Sequence, residues 1–226
     1  FCCCFFALSA FAQVKEQGKD STNFYHDIHN LSKKSTFNKI VYKLFFRASA
    51  ILSNDKTTKK DHKVKLVYKE INPKVFYDSM QFWNDKEGIA IGDPTEDTFS
   101  VIVTRDGGET WTKLLSDKLP TNAAGEAAFA ASNTNIAMKG NTVWIATGGT
   151  VSRIFKFNWD KPYFWNVYDT PFVNGKSSTG IYSIDFYDEK FGIAVGGDYT
   201  QQSDNVNNIA TTSDGGETWL IQASGK

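Results

Sequence analysis

From Val75 onward, apolar residues come in short runs separated by clusters of Gly, Asp, Asn and Thr. That is the pattern of brief strands joined by tight turns. Three groups of four strands follow from it. The first group is expected at Val75–Phe82, Gly88–Ile91, Val101–Thr104 and Trp111–Leu115. The second takes Ala127–Ala131, Val143–Ala146, Arg153–Phe157 and Trp165–Tyr168, and the third takes Ile181–Phe186, Gly192–Val195, Asn208–Thr212 and Trp219–Gln222. Ahead of them, Val64, Leu66 and Tyr68 alternate with Lys63, Lys65 and Lys69, a half-buried strand pattern. No stretch of this half carries an apolar period of helical length.

Residues 13–62 read differently. Ser21 and Thr22 can cap a short helix bearing Phe24, Ile28 and Leu31. Ser35 and Thr36 can cap a second, with Phe37, Ile40, Val41, Leu44, Phe45 and Ala48 at helical spacing and Lys33, Lys34, Lys39, Lys43 and Arg47 opposite. This basic amphipathic face suits packing on a domain, and also a membrane surface or a docking partner. Residues 53–62 (SNDKTTKKDH) lack periodicity and read as a linker.

The turns between third and fourth strands carry the clearest motif. Thr104, Asp106, Gly108, Thr110 and Trp111 recur as Thr212, Asp214, Gly216, Thr218 and Trp219, within TRDGGETWT and TSDGGETWL. Asp and Thr oxygens can satisfy the backbone N–H groups of such a turn, glycine accepts φ > 0, and Trp pins it from beneath. A degenerate copy, NWDKPYFW, puts Asn158, Asp160 and Trp165 in the Thr, Asp and Trp slots. The three aspartates stand 54 residues apart. A repeat of that length built from short strands indicates propeller blades or a related β array.

These residues resemble the Asp-box, or BNR repeat, of sialidase-type and sortilin-type propellers. FWNDKEGIAIGD and FYDEKFGIAVGGD, each leading into a DGGETW turn, look like the photosystem II stability/assembly factor-like branch, as do GEAAFAAS and SSTGIYSIDF. The resemblance runs from about Lys65 to the C-terminus. It implies an all-β fold, a β-propeller of four-stranded blades with about three present, preceded by a short helical segment. It implies structural Asp-boxes rather than a catalytic motif. Three periods fall short of the four to eight blades of a closed ring. The expectation is therefore a piece of a longer protein, or self-association through open propeller ends. The stretch DSTNFYHDIHNLSKKSTFNKIVYKLFFR separately resembles the leader of surface-antigen-type outer-membrane barrels.

Charge sharpens the division of the chain. Formal net charge is zero, yet residues 1–70 carry 13 Lys+Arg against 6 Asp+Glu, and the remainder 12 against 19. The expected domains are a partial signal peptide at 1–12, a basic helical segment with linker at 13–62, and a partial propeller at 63–226. Residues 1–12 (FCCCFFALSAFA) form an apolar run ending Ala-Phe-Ala, the h-region and cleavage site of a secreted or periplasmic protein. Twelve residues are too few to span a bilayer. All three cysteines lie there, so a mature chain would hold neither disulfide nor Cys-based metal site.

The candidate chemistry is sparse. A sialidase needs an arginine cluster, and the arginines are Arg47, Arg105 and Arg153. No GxGxxG opens a helix after a strand, so a dinucleotide site fails on context. The acidic propeller half repels phosphates, which disfavours nucleic acid. His26 and His29 lack a third metal ligand. The expectation is no catalytic residue, no metal and no cofactor. Possible binding positions are Asp93 and Asp198, expected at equivalent places on one rim, and Glu126, which either pairs with a cation such as Arg153 or lines the central channel. Trp83, Trp144, Trp159 and Phe164 are core or sugar-stacking aromatics. The functional expectation is a non-catalytic extracytoplasmic scaffold for a protein or glycan ligand. The alternative is a carbohydrate-active enzyme whose catalytic blades are missing.

Overall fold

A computed structural model describes residues 67–72, 74–130 and 132–224. The expectations for residues 1–62, and for Val64 and Leu66, lie outside the described residues. The chain divides into two units, 1–70 and 71–226. In the first, residues 67–70 are not strand, contrary to the alternation around Tyr68, and the Tyr68 hydroxyl donates to Glu70 at 3.0 Å.

The second unit is all-β, with one 3-10 turn at Ser116–Lys118 among its described residues. Its three successive antiparallel meanders are β-propeller blades. Blade 1 pairs β1 (Tyr77–Phe82), β2 (Gly88–Gly92), β3 (Ser100–Thr104) and β4 (Thr112–Lys113) in that order. A pair of two-residue strands, β5 (Glu126–Ala127) and β8 (Gly148–Gly149), joins the third sheet beside its inner strand. Blade 2 contains β6 (Ile136–Lys139), β7 (Thr142–Ala146), β9 (Arg153–Asn158) and β10 (Lys161–Asp169). Blade 3 contains β11 (Thr179–Phe186), β12 (Gly192–Asp198), β13 (Ile209–Thr212) and β14 (Leu220–Ile221).

The first strand of blade 2 corrects the sequence expectation. Ala127–Ala131 is not that strand; Ile136–Lys139 is. The two-residue Gly140–Asn141 loop closes it onto β7, with Lys139 opposite Thr142. Glu126–Ala127 serve elsewhere, pairing with Gly148–Gly149, which in turn meets Gly180 of β11. A Cβ on Gly180 would lie 2.3 Å from the Gly148 Cα, so this strand approach requires glycine on both sides.

Two apolar layers lie between the blades. Ile89, Ile91 and Val101 of blade 1 pack with Val143, Ile145, Phe155 and Phe157 of blade 2. The other face of blade 2 presents Trp144, Ala146 and Ile154 to Phe186, Ala194, Ala210 and Trp219 of blade 3. Strand alternation explains the arrangement, since neighbouring residues of β7 serve opposite layers. Along the inner edge, Asn133 accepts from the Met80 amide at 3.0 Å, and Thr134 bridges to Ser183.

Candidate functional site

The two DGGETW turns have the same geometry. In the first, Thr104 Oγ1 donates to Asp106 at 2.9 Å and accepts from the Gly108 amide at 2.9 Å. The Asp106 carboxylate also accepts from the Thr110 amide at 2.9 Å and its hydroxyl at 2.6 Å. The second turn repeats these bonds from Thr212, Gly216 and Thr218, and there the Glu217 amide also donates to Asp214 at 3.0 Å, as the Glu109 amide supports Asp106 in the first turn. The Thr110 bonds lead in holding the Asp106 carboxyl down at about 2. Desolvation opposes ionisation of Asp214, but its Thr218, Thr212 and Glu217 donors outweigh that and also hold it at about 2. Each carboxylate is thus committed to its own turn.

Each turn also braces its blade's first hairpin. The Gly107 amide donates to Lys86 O at 2.7 Å, and the Gly215 amide donates to Lys190 O at 2.8 Å. Gly107 and Gly215 have φ of 77° and 78°, and a Cβ on either would sit 2.7 Å from a carbonyl oxygen of the opposing loop. Glycine is therefore required twice over, by conformation and by contact. Trp111 meets Phe82 edge to face at 5.8 Å, and Trp219 meets Phe186 likewise at 6.0 Å.

The middle copy keeps less. Asn158 Oδ1 accepts from the Asp160 amide at 3.0 Å, and Asp160 accepts from Asn141 Nδ2 at 2.5 Å. Trp165 Nε1 donates to Pro162 O, three residues back, as Trp219 donates to Gly216 O. Here Asp160 ties two hairpins together, whereas Asp106 and Asp214 bind their own turns.

Glu126 resolves its two alternatives in favour of Arg153. Its side chain is 0% exposed, and it accepts from Arg153 Nε at 3.0 Å and from Nη2 in a bidentate pair. Thr147 Oγ1 at 2.6 Å, the Ala123 amide at 2.9 Å and Asn122 Nδ2 at 3.3 Å also donate to it. It is a fully partnered internal ion pair.

Asp93 and Asp198 do not share a position. Gly92 lies opposite Tyr77 and Gly196 opposite Ile181, so the counterpart of Asp93 is Gly197. Asp198 falls one residue further on. It accepts from the Thr200 hydroxyl at 2.6 Å, the Thr200 amide at 2.9 Å and Lys176 Nζ at 3.3 Å. The Thr200 bonds foremost hold its carboxyl well below the usual range. Asp93 instead meets Asp78, a residue that sequence reasoning missed. Burial first, then the Asp93 charge, push the Asp78 carboxyl up to about 9. Asp93 is also raised by burial, against bonds from the Ala128 amide and the Asp78 side chain. An aspartate inside the apolar run VFYDSMQF was the available signal, because Asp is depleted from strands.

Of the candidate sugar-stacking aromatics, Trp144 and Trp159 are core, and Trp83 stands edge-on to Trp159 at 4.1 Å. Phe164 is exposed. Arg105 spans Glu87 at 2.8 Å and Trp159 O at 3.1 Å, with its guanidinium 4.4 Å above the Trp159 ring. An open hollow beside it is lined by Val103, Asp106, Thr110 and Thr112. No described helix is long and apolar enough to cross a membrane.

No protein-family model and no curated protein matches the chain. Among solved structures, it is similar to one described as YCF48 bound to D1 peptide, at 19% identity and TM-score 0.44, over 65% of this chain and 39% of that one. It is also similar to a GH74 enzyme of Niastella koreensis, at 13% identity and TM-score 0.45, over 64% and 22%. A GH74 xyloglucanase of Xanthomonas campestris aligns at 14% identity and TM-score 0.36, over 58% and 18%. The chain spans between 18% and 39% of the length of these structures.

Proposed function

We propose that this chain is an Asp-box propeller segment acting as a non-catalytic extracytoplasmic scaffold that binds a protein or glycan ligand. The observation that carries this reading is the commitment of the repeated carboxylates to their own turns. Asp106 and Asp214 are saturated by Thr and backbone donors, which leaves them for structure. The fold itself is neutral between binding and catalysis. Glycosidases hold their two carboxyls roughly 5–9.5 Å apart around the sugar. Asp78 is buried, and the Asp93 charge acts directly on it and helps to push its carboxyl up, so this pair is not spread across an open cleft.

Secretion belongs to the proposal on the strength of the apolar run at 1–12, as does the division into 1–12, 13–62 and 63–226. Self-association belongs to it through the outward face of blade 3. The deciding experiment pairs a glycan array and cross-linking in the extracytoplasmic fraction with assays for reducing-sugar release. Saturable binding without turnover supports the scaffold. Glycan hydrolysis by the chain, lost in Asp93→Asn, would establish the carbohydrate-active enzyme in its place.

A further inference from the structure

We propose that Asp78 and Asp93 share one proton and form a pH-sensitive latch that closes the inner corner of blade 1 on the Ala128–Phe129 segment. The corner follows from strand register. Tyr77 pairs with Gly92 and Ser79 with Ile91, so Asp78 is the extra residue of a β-bulge. Blade 3 repeats the bulge at Tyr182, between Ile181 and Ser183. There the Tyr182 hydroxyl donates to Gly197 O at 2.7 Å, and Gly197 is the counterpart of Asp93. In blade 3 the bulge residue thus reaches the backbone of the residue that follows the second strand with a neutral hydroxyl. In blade 1 the bulge residue and the residue after the second strand are both aspartates, and the charge of Asp93 acts on Asp78.

Two carboxyls in contact cannot both ionise at low cost, least of all in a buried site. Asp78 is 8% exposed, and among the described residues Asp78 Oδ2 and Asp93 Oδ1 have no hydrogen-bond partner. Among the described residues, no cation ion-pairs with either carboxyl. Among the described residues, the strands and segment packed beside the pair offer no neutralising charge. The charge acting on Asp78 from the β2 side is Asp93 itself. From the 126–129 segment the charged group is Glu126, already engaged by Arg153. In β6 the charged residue is Lys139, at the far hairpin end opposite Thr142.

A proton on Asp78 shared with Asp93 resolves the conflict, and the Ala128 amide favours the ionised form of the Asp93 carboxyl. Ala128 continues into Phe129, whose ring stands edge-on to Tyr182 at 4.7 Å and to Tyr199 at 6.4 Å. The shared proton thus holds the segment that joins the inner corners of blades 1 and 3. At alkaline pH the proton passes to solvent, the pair becomes a dianion, and the Ala128–Phe129 segment is released.

The test is equilibrium unfolding of the full chain from pH 5 to pH 10, alone and with 5 mM calcium or magnesium, for the native sequence, Asp78→Asn and Asp93→Asn. The expected result is a fall in the native folding constant of up to about tenfold per pH unit as the pH rises, the slope of one proton released on unfolding. Asp78→Asn supplies a neutral N–H donor in place of the carboxyl, so it should flatten that slope and match or exceed the native midpoint at pH 9. Independently of folding, the Ala128 amide resonance of the native protein should titrate with the same midpoint as the Asp78 side-chain carboxyl carbon. Carboxyls that both titrate below pH 5, or a native slope unchanged by either substitution, would overturn the proposal. So would calcium or magnesium restoring alkaline stability only in the native sequence, which would make the pair a cation site.

Discussion

The indole N–H of Trp144 donates to the carbonyl oxygen of Gly215 at 2.8 Å, joining residues 71 apart in sequence. Trp144 belongs to the second strand of blade 2, and Gly215 lies in the DGGETW turn of blade 3. The same indole stacks on Phe186 at 3.8 Å, and a Cβ on Gly216 would come within 3.1 Å of its nitrogen. The turn therefore has two attachments. It braces the first hairpin of its own blade and receives a buried donor from the blade before it.

Trp144→Phe keeps most of the apolar area but orphans the Gly215 carbonyl and opens a small void. The expected loss is about 2–3 kcal/mol in denaturant unfolding, from an unsatisfied buried acceptor and incomplete repacking. The midpoint should move while the m-value stays constant, because the surface exposed on unfolding is little changed.

Asp214 supplies the second prediction. A carboxyl held below its unfolded value stabilises the fold at pH values above that unfolded value, and the contribution disappears as the pH falls through the folded one. For Asp214, at about 2 against an ordinary 3.8, the window is roughly pH 4 to 2. Asp214→Asn should flatten the acid limb there. At pH 7 it should cost only about 1 kcal/mol, since the turn is exposed and water replaces part of what is lost. Thermal melts at pH 2, 3, 4 and 7 check both statements, and an unaltered acid limb would contradict the assigned role.

Glu126 and Arg153 are expected to behave as a unit. Glu126→Gln leaves a partly buried guanidinium without its counter-charge, and the expected cost is about 3–5 kcal/mol. Replacing both residues, as Glu126→Gln with Arg153→Met, should cost less than the two single changes summed. A double-mutant cycle measures the coupling, and strict additivity would show that the pair is not acting together.

Much of this architecture was legible in the residues, and the exceptions have physical causes. The strands around Gly88, Ser100, Arg153 and Gly192 follow from short apolar runs bounded by turn residues. The two full turns follow from Asp and Thr at fixed offsets. The first strand of blade 2 was missed because IAMK is short and barely alternates, although the Gly140–Asn141 dipeptide marked its hairpin. Asp78 was missed because the bulge that turns it toward Asp93 is a matter of register, which one strand's sequence does not contain. The one-residue offset between Asp93 and Asp198 has the same origin. IAIGD and AVGGD look alike, yet the extra glycine places the second aspartate one step further along its strand.

The outward face of blade 3 carries the last prediction. Ile193 pairs with Thr211, and Thr211 with Leu220, so the three form one cross-strand row. The corresponding row of blade 1 is Ile89, Val103 and Thr112. Ile89 is fully buried there in the layer against blade 2, whereas Ile193 is 46% exposed and Leu220 70%. A sheet face built to be covered is thus left to solvent, with Phe191 exposed beside it. The chain is expected to self-associate through this face. Lysine at both Ile193 and Leu220 should abolish the association while changing the folding midpoint by less than about 0.5 kcal/mol, because neither side chain is in the core. Sedimentation velocity across a hundredfold range of concentration measures the effect. A native chain that stays monomeric throughout, or a double variant that associates as strongly, would show that the face is not used.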